Sequence, residues 1–411
     1  MTVAPPIRSK LLPDVTEDSS DTPIPSAHKT RILHGLAKEW IEFKIKWNIF
    51  QLVLKQFKNP IQAIKIVNKL NANRRAFLGE SRIKKIAKIG SQYYWDLYIP
   101  SWPSQAFDEF IEAEIDRVEP LPFGTKQLTN VLMAITKKCA LKCEHCFEFN
   151  ALNQKETLSI DKLKLILENV CKIGSSQIQL SGGEPLMRLD AIRELLAVSK
   201  PGTEFWVLSS GYLLSKETAN ILKQSNLTGV VISLDHFEEE KHNAFRGRSN
   251  SYAWVKEAIK NAQEAGLVTA LSICITKSFA TKENLHSYLN LAKEMGVAFV
   301  QLLEPKASGG YAGLDVSLTK EQEQLIEEVY WQYNYEAGFE SYPILVYHGY
   351  YQRRAGCFAA GNRTLYIDTD GDMHACPFCN KKSGSALVGS TQEHLHKIKR
   401  GGCATFKTST L

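Results

Sequence analysis

From Thr129 onward, short β-branched segments alternate with amphipathic helical segments six times. This alternation predicts a parallel sheet covered by helices, either curled or doubly wound. Active sites of such folds lie at the carboxyl ends of the strands, where we therefore expect the functional residues. The predicted strands are Asn130–Thr136, Gln177–Ser181, Glu204–Ser209, Gly229–Asp235, Thr269–Thr276 and Ala298–Glu304, and the helices include Asp161–Cys171, Asp190–Ser199, Lys216–Gln224, Tyr252–Ala265, Lys282–Glu294 and Lys320–Tyr335.

Composition divides the chain into four segments. Residues 1–28 are rich in Pro, Ser, Thr and Asp, which is typical of a disordered tail. Residues 29–125 form a basic segment whose aromatic residues recur every three or four positions, which predicts a helical extension broken at Pro60. Residues 126–340 contain the alternating strands and helices. Residues 341–411 form a small cysteine-rich domain.

Two shorter patterns adjoin the central segment. The aromatic run QYYWDLYIPSW at residues 92–102 predicts a connector that packs onto the next domain. Near the C-terminus, Thr364–Asp368 and Asp372–Ala375 enclose an Asp370-Gly371 turn, which predicts a β-hairpin.

Hydropathy and cysteine usage restrict the class of protein. No apolar run approaches the roughly 18–20 residues of a membrane span. The first residues lack the apolar block of a secretory signal, so we expect a cytoplasmic protein. Seven of the nine cysteines lie in two clusters, which indicates metal ligation in a reducing compartment.

The net charge of +6 is unevenly distributed. Residues 29–90 carry 15 Lys and Arg against three Glu, a net charge of +12, which leaves −6 for the remainder. This basic segment is a solvated helical face, a docking surface for an acidic partner, or a peripheral contact with the inner membrane face. It contains no nucleic-acid recognition motif.

Three cysteines follow the first predicted strand directly. Cys139, Cys143 and Cys146 have the spacing C-x3-C-x2-C and can ligate three irons of a cubane cluster, which normally takes four cysteines. The fourth iron is then open to a small molecule. The alternative is a structural zinc site, but zinc prefers four closed ligands.

This spacing, with His145 before the third cysteine, resembles the radical S-adenosylmethionine (SAM) superfamily. The second predicted strand ends in SGGEP, which resembles the GGEP motif of that family, and the likeness covers about residues 129–305. The resemblance implies a partial (β/α)6 TIM-like barrel, a [4Fe-4S] cluster held by three cysteines, and S-adenosylmethionine as its partner. Glycines also let a backbone approach a ligand closely.

The resemblance extends to further candidate cofactor-binding residues. Ser209-Ser210-Gly211 occupies the place of a family turn, and Ser233 and Asp235 share one face of the fourth strand. Arg246 occupies the place of a residue that holds the methionine carboxylate. The alternatives are a core hydroxyl for Ser233 and a surface cation for Arg246. The full cofactor-binding set is His145, Gly182, Gly183, Glu184, Pro185, Ser209, Ser233, Asp235 and Arg246.

The C-terminal cysteines suggest a second metal site. Cys357, Gly371 and Cys376 follow the pattern C-x13-G-x4-C, which resembles the SPASM/Twitch extension. With Cys379 and Cys403 they supply four thiolates, enough for one auxiliary [4Fe-4S] cluster and fewer than the seven of a full SPASM domain. A zinc site is the alternative. If Cys403 is not a ligand, this cluster has an open iron.

The two remaining cysteines differ in their expected positions. Cys171 shares an apolar helix face and is predicted to be core. Strand alternation places Ser272, Cys274 and Thr276 toward the barrel interior. Some relatives use a cysteine to return a hydrogen atom to a substrate radical, but a small buried residue is the preferred interpretation of Cys274.

The resemblance implies an enzyme that reductively cleaves SAM to a 5'-deoxyadenosyl radical, which abstracts a hydrogen atom from a substrate. It also implies an electron donor such as flavodoxin or ferredoxin. SPASM/Twitch enzymes mostly modify peptides, so we expect peptide maturation, although their leader-binding modules mix strands with helix and this N-terminus is predicted to be all-helical. The alternatives are a small-molecule or membrane-lipid-linked substrate, and a non-catalytic iron–sulfur binding or electron-transfer protein.

Overall fold

The computed structural model describes residues 30–79, 82, 84–120, 128–357, 359, 361–379, 381–403 and 405–406. The tail predicted over residues 1–28 lies outside this part of the chain. None of the described helices combines the length and apolar character needed to cross a membrane.

The N-terminal segment mixes strands with helices, so the expectation that it is all-helical is wrong, although three helices make up most of its described residues. Three strands form an antiparallel sheet in chain order. They are three to five residues long, too short for their alternation to stand out against the aromatic helical pattern. The break at Pro60 is confirmed. The elements are β1 (Arg31–His34), α1 (Gly35–Phe57), α2 (Pro60–Leu78), β2 (Lys85–Ile89), β3 (Gln92–Tyr94) and α3 (Gln105–Val118).

Six parallel strands in chain order form the centre of the molecule. Each overlaps a predicted strand, with ends that differ by at most two residues. Their carboxyl ends therefore share one edge of the sheet, as predicted. The strands are β4 (Leu128–Ala134), β5 (Ser175–Ser181), β6 (Glu204–Ser209), β7 (Gly229–Ser233), β8 (Val268–Cys274) and β9 (Phe299–Leu303).

Helices connect these strands and cover one face of the sheet. In β8, Leu271 and Ile273 belong to the apolar core between sheet and helices, whereas Cys274 lines the cavity on the opposite face. The alternation inferred from the sequence is thus confirmed. The helices are α4 (Ile160–Ile173), α5 (Leu189–Ala197), α6 (Lys216–Gln224), α7 (Glu239–Arg246), α8 (Ser251–Glu264), α9 (Lys282–Glu294) and α10 (Lys320–Tyr335).

The C-terminal elements extend the sheet at both ends. β10 (Ile344–Tyr347) pairs with β9, and β11 (Thr364–Ile367) pairs with β4, both in parallel. β12 (Asp372–His374) folds back on β11 and confirms the predicted hairpin. The remaining elements are α11 (His348–Ala355), β13 (Gly384–Ser385) and α12 (Thr391–Gly401).

The aromatic connector packs onto the central sheet, as predicted. Tyr94 and Leu97 are buried in one apolar cluster with Trp206 and Phe299. Lys85 adds a polar connection, because its buried Nζ shares its three N–H donors among four main-chain carbonyls of segment 333–343, at Tyr333 (2.6 Å), Phe339 (3.3 Å), Tyr342 (3.0 Å) and Pro343 (2.9 Å).

Lys85→Met should loosen this attachment of the N-terminal segment. The variant keeps the apolar stem but removes the donor shared by the carbonyls, and an unsatisfied buried acceptor costs about 1–3 kcal/mol. We expect a loss of that size in the free energy of unfolding, measured by chemical denaturation. Lys84→Met, at an exposed neighbouring position, is the matched control and should change it by less than about 0.5 kcal/mol. Equal effects would contradict the role of Lys85.

Candidate active site

The loop that holds Cys139, Cys143 and Cys146, which we call the thiol loop, begins just after β4. Its start is fixed by Asn153, whose Oδ1 accepts from the main-chain N–H of Cys139 (3.0 Å) and whose Nδ2 donates to the Cys139 carbonyl (3.1 Å). Burial raises the pKa of the Cys139 thiol to about 11 and that of Cys146 to about 12. Metal binding must therefore displace protons from these thiols.

The GGEP turn after β5 packs directly against the start of this loop. The N–H of Gly183 donates to the Thr136 carbonyl (2.8 Å), and the N–H of Glu184 donates to the Lys138 carbonyl (2.7 Å). A Cβ at Gly182 would lie 2.4 Å from the Thr136 oxygen, and one at Gly183 would lie 2.2 Å from the Lys138 oxygen. The glycines thus permit close approach to the thiol loop, and both also line the large cavity described below.

Glu184 joins the GGEP turn to the turn after β6. Its Oε1 accepts from Ser209 Oγ (2.8 Å) and Leu186 N (3.1 Å), and its Oε2 accepts from the N–H (2.8 Å) and Oγ (2.6 Å) of Ser210. Burial raises the pKa of Glu184 above its usual value, although the four hydrogen bonds offset part of this rise. Four donors satisfy both oxygens. Glu184 and Ser209 therefore position the two turns, and Pro185 begins the 3-10 helix that follows.

Arg246 and Asp235 form a buried ion pair beside the thiol loop. Arg246 Nε and Nη2 each lie 2.5 Å from Asp235 Oδ2, and Arg246 Nη1 lies 3.4 Å from Cys143 Sγ. Asp235 Oδ1 accepts from the N–H of Cys274 (3.0 Å). Burial raises the pKa of Asp235, but the attraction of Arg246, together with His145, His242 and the Cys274 N–H, lowers it below the usual value. Arg246 is therefore not the surface cation of the alternative interpretation.

Arg246→Ala should destabilise the fold strongly. The variant leaves the Asp235 carboxylate buried without its partner, a change that costs about 3–5 kcal/mol. Chemical denaturation of the iron-free protein would measure this loss. Arg248→Ala is the matched control, because Arg248 is exposed two residues beyond the end of α7. A loss below about 1 kcal/mol for Arg246→Ala would show that the pair contributes little.

His145 lies in the thiol loop, between Cys143 and Cys146, and its ring has a buried nitrogen without a hydrogen bond to the described residues. Its ring stacks on Phe245 with centroids 4.8 Å apart, and burial lowers its pKa to about 4. Its buried Nδ1 has no hydrogen-bond partner in the part of the chain that the structure describes. A buried polar atom normally has a hydrogen-bond partner, so this nitrogen suits a site where a bound group supplies the partner.

One large cavity of about 1340 Å³ joins the predicted site residues. Its lining includes the thiol loop and Ser233, which lies on the cavity face with Asp235 as predicted. Cys274 also lines it, whereas Cys171 packs against the apolar core, as expected. The cavity extends from these residues to the C-terminal cysteines and to side chains of α1 and α2.

The four C-terminal cysteines also line this cavity. The Sγ atoms of Cys376 and Cys379 are 3.3 Å apart, and Cys357 hydrogen-bonds to Cys403. Burial and Cys403 raise the pKa of the Cys357 thiol to about 12. Cys403, which lies 46 residues after Cys357, thus meets its predicted partners. All nine cysteines are free thiols.

Within the described ranges, no three His, Cys, Asp or Glu side chains lie close enough together to bind a single metal ion. A cubane cluster is larger than one ion and spreads its ligands over several irons. The free thiols of Cys139, Cys143 and Cys146 on one loop, their burial and the unpartnered His145 atom beside them fit such a cluster.

Sequence reasoning missed the loop after β9, which also holds the thiol loop in place. Gly310 N–H donates to the Cys146 carbonyl (2.9 Å), and a Cβ at Gly309 would lie 2.1 Å from that oxygen. The signal was the Gly309-Gly310 pair after the sixth strand, which has the same close-approach role as the first glycine pair. Asn153 carried no such signal.

A sequence model of the radical SAM superfamily matches residues 133–291. The chain contains a radical SAM domain. The match runs from the end of β4 into α9, so it includes the thiol loop, the GGEP turn and the Asp235–Arg246 pair. Radical SAM superfamily members are enzymes, and their fold implies a [4Fe-4S] cluster and SAM. The predicted radical SAM domain is thus confirmed over residues 133–291.

Two relatives that match the radical SAM domain are named for different functions. Fe-coproporphyrin III synthase of Methanosarcina barkeri is 31% identical over 159 residues, which cover 38% of this chain and 39% of the relative. The antilisterial bacteriocin subtilosin biosynthesis protein AlbA of Bacillus subtilis is 26% identical over 250 residues, which cover 60% of this chain and 54% of the relative. The chain thus spans less than two thirds of each.

A solved structure shares the fold over most of the chain. Streptococcus suis SuiB, bound to the precursor peptide SuiA, superposes with a TM-score of 0.54 at 16% identity. The superposition covers 87% of this chain and 83% of SuiB. It extends well beyond the radical SAM match and confirms the predicted partial-barrel fold.

Proposed function

We propose that this protein is a radical SAM enzyme that abstracts a hydrogen atom from a substrate held in the large cavity. The observation that carries the proposal is the thiol loop, fixed against the GGEP turn at the edge of that cavity. When bound, the cluster and SAM supply a 5'-deoxyadenosyl radical. The protein's part is to position both and to exclude water from them.

The thiolates of Cys139, Cys143 and Cys146 would hold three irons and leave the fourth to SAM. Because Glu184 is fully occupied by Ser209, Ser210 and Leu186, the main chain of the GGEP turn is the part that would contact the methionine ammonium. Ser233 and the Asp235–Arg246 pair line the same cavity as this turn. His145, with its free ring nitrogen, completes the cofactor-facing surface.

The function is tested by anaerobic incubation of the iron-loaded protein with SAM and dithionite. We expect methionine and 5'-deoxyadenosine in equal amounts, both dependent on the reductant. Reduced flavodoxin or ferredoxin should replace dithionite. A reconstituted protein that releases neither product under any reductant would be a non-catalytic iron–sulfur protein instead.

We propose that residues 341–411 form a Twitch-like domain with an auxiliary [4Fe-4S] cluster at Cys357, Cys376, Cys379 and Cys403. The contact between Cys357 and Cys403 supports four ligands, and hence a closed cluster. After anaerobic reconstitution we expect about eight irons and eight sulfides per chain. About four irons together with one zinc would make this a structural zinc site.

A ribosomally made peptide is the substrate we propose first. AlbA is a bacteriocin biosynthesis protein, and SuiB binds the precursor peptide SuiA. An all-helical N-terminus would have differed from the leader-binding modules of peptide-modifying enzymes, which mix strands with helix. The N-terminal segment also mixes strands with helix, so this argument against a peptide substrate no longer holds. The cavity is also large, and it reaches the N-terminal segment.

A small-molecule substrate is the second candidate, because Fe-coproporphyrin III synthase has the higher identity of the two relatives. The cavity volume exceeds the 300–1,000 Å³ of usual small-molecule sites, which favours the peptide. Deuterium transfer from a labelled candidate substrate into 5'-deoxyadenosine would distinguish the two classes.

A further inference from the structure

Helix α1 is apolar on two faces. On the inner face, Ile41, Ile45 and Val53 are buried against the rest of the N-terminal segment. On the outer face, large apolar side chains are exposed or half-buried in the described chain. A helix that is apolar all round is ordinarily covered on both sides. The outer residues are Leu36, Trp40, Phe43, Trp47, Phe50 and Leu54, which we call the aromatic stripe. The first four are exposed, whereas Phe50 and Leu54 are half-buried and also pack against the core of the N-terminal segment.

The aromatic stripe is continuous along the helix. Its residues follow one another at intervals of four, three, four, three and four, which places them on one line down the helix surface. The rings of Trp40 and Phe43 stack at 5.8 Å, and those of Trp47 and Phe50 stack at 5.7 Å. Trp40 and Trp47 remain 57% and 54% exposed. The stripe is thus an ordered surface rather than isolated exposed side chains.

Positive charge borders this stripe. Lys44 and Lys55 are exposed, and each directly follows a stripe residue. The Nζ of Lys44 lies 5.1 Å from the centroid of the Trp40 ring. Of the acidic neighbours, Glu42 is engaged by Lys38 (2.5 Å) and Lys46 (2.9 Å), while the exposed Glu39 lies 3.5 Å from Lys38.

We propose that the aromatic stripe of α1 binds an anionic membrane surface, with the helix lying in the plane of the interface. Trp and Phe on one side with Lys beside them suit the boundary between acyl chains and anionic headgroups. The net charge of +12 over residues 29–90 complements such a surface. A second copy of this chain suits it less, because a two-fold interface would bring the same lysines together.

This inference does not rest on the proposed catalytic function. It has a consequence for the substrate, because Ile45 and Ile49 on the other side of α1 line the large cavity. Membrane binding would hold that wall of the cavity about one helix diameter, roughly 10–12 Å, from the lipid surface. A substrate anchored in the membrane could then reach the cavity.

The test is sedimentation of the full chain with vesicles of phosphatidylcholine alone or with 30% phosphatidylglycerol. We expect binding to the anionic vesicles that weakens with salt and falls at least tenfold in Trp40→Glu/Trp47→Glu. Both indoles are more than half exposed, so this variant should keep the circular dichroism spectrum of the wild type. Trp331→Ala, at an exposed tryptophan on α10, is the matched control and should bind normally.

Three results would overturn the inference. Undiminished binding by the double variant would show that the stripe is not the contact. Equal binding to both vesicle types would contradict an anionic surface. No vesicle binding, together with a concentration-dependent dimer that the double variant abolishes, would make the stripe an interface between copies of this chain.

Discussion

Cys143→Ala should lower 5'-deoxyadenosine release by more than about 100-fold and remove about four irons per chain. Changes beside a metal ligand already cost about 10- to 100-fold in affinity or activity, and loss of a ligand should cost more. Cys143 is buried beside Arg246, where no other cysteine of the loop can replace it without moving the main chain. Iron analysis and product quantification would measure both effects.

Cys171→Ala is the matched control for this variant. It removes a thiol of the same chain, but Cys171 packs against the apolar core on α4 and does not line the cavity. We expect wild-type iron content and product release. If Cys143→Ala keeps its activity, or if Cys171→Ala loses as much iron, the assignment of the catalytic cluster is wrong.

Gly183→Ala should have the second-largest effect. The added Cβ would lie 2.2 Å from the Lys138 oxygen and 2.7 Å from the Lys138 carbonyl carbon. Both atoms are main chain, so relief requires that the GGEP turn or the thiol loop move. A displacement of about 1 Å at a reacting centre can cost about 100-fold in rate. We expect a loss of that order in 5'-deoxyadenosine release, measured at saturating SAM.

The control for this glycine is Gly401→Ala. Gly401 ends α12, and a Cβ there would have no atom within 4 Å. This variant should keep wild-type product release and thermal stability. Wild-type activity in Gly183→Ala would mean that the close contact between turn and loop is unimportant for the site.

The central sheet was predictable because each strand and helix carries its own periodicity. Strand β6 and helices α6 and α9 have the predicted ends, and the Asp370-Gly371 turn located the C-terminal hairpin. Strand β1 was missed because its partner β2 is distant in sequence. Strands β2 and β3 are joined by Gly90-Ser91, but each is too short for a pattern. Local periodicity does not report such pairing.

Within the site, residue types were easier to predict than their partners. The sequence indicates that Asp235 and Arg246 belong to the site, but not that each satisfies the other's charge. The same holds for Glu184, which contacts Ser209 and Ser210 across two strand ends. Such pairings depend on how three strand ends converge, and this requires the three-dimensional structure.

The central claim is that three thiolates leave one iron of the catalytic cluster open to SAM. Electron paramagnetic resonance of the dithionite-reduced, iron-loaded protein tests it directly. The account predicts that SAM changes the signal of one cluster, and that this signal and its change are absent in Cys143→Ala. A wild-type spectrum that is identical with and without SAM would contradict an open iron.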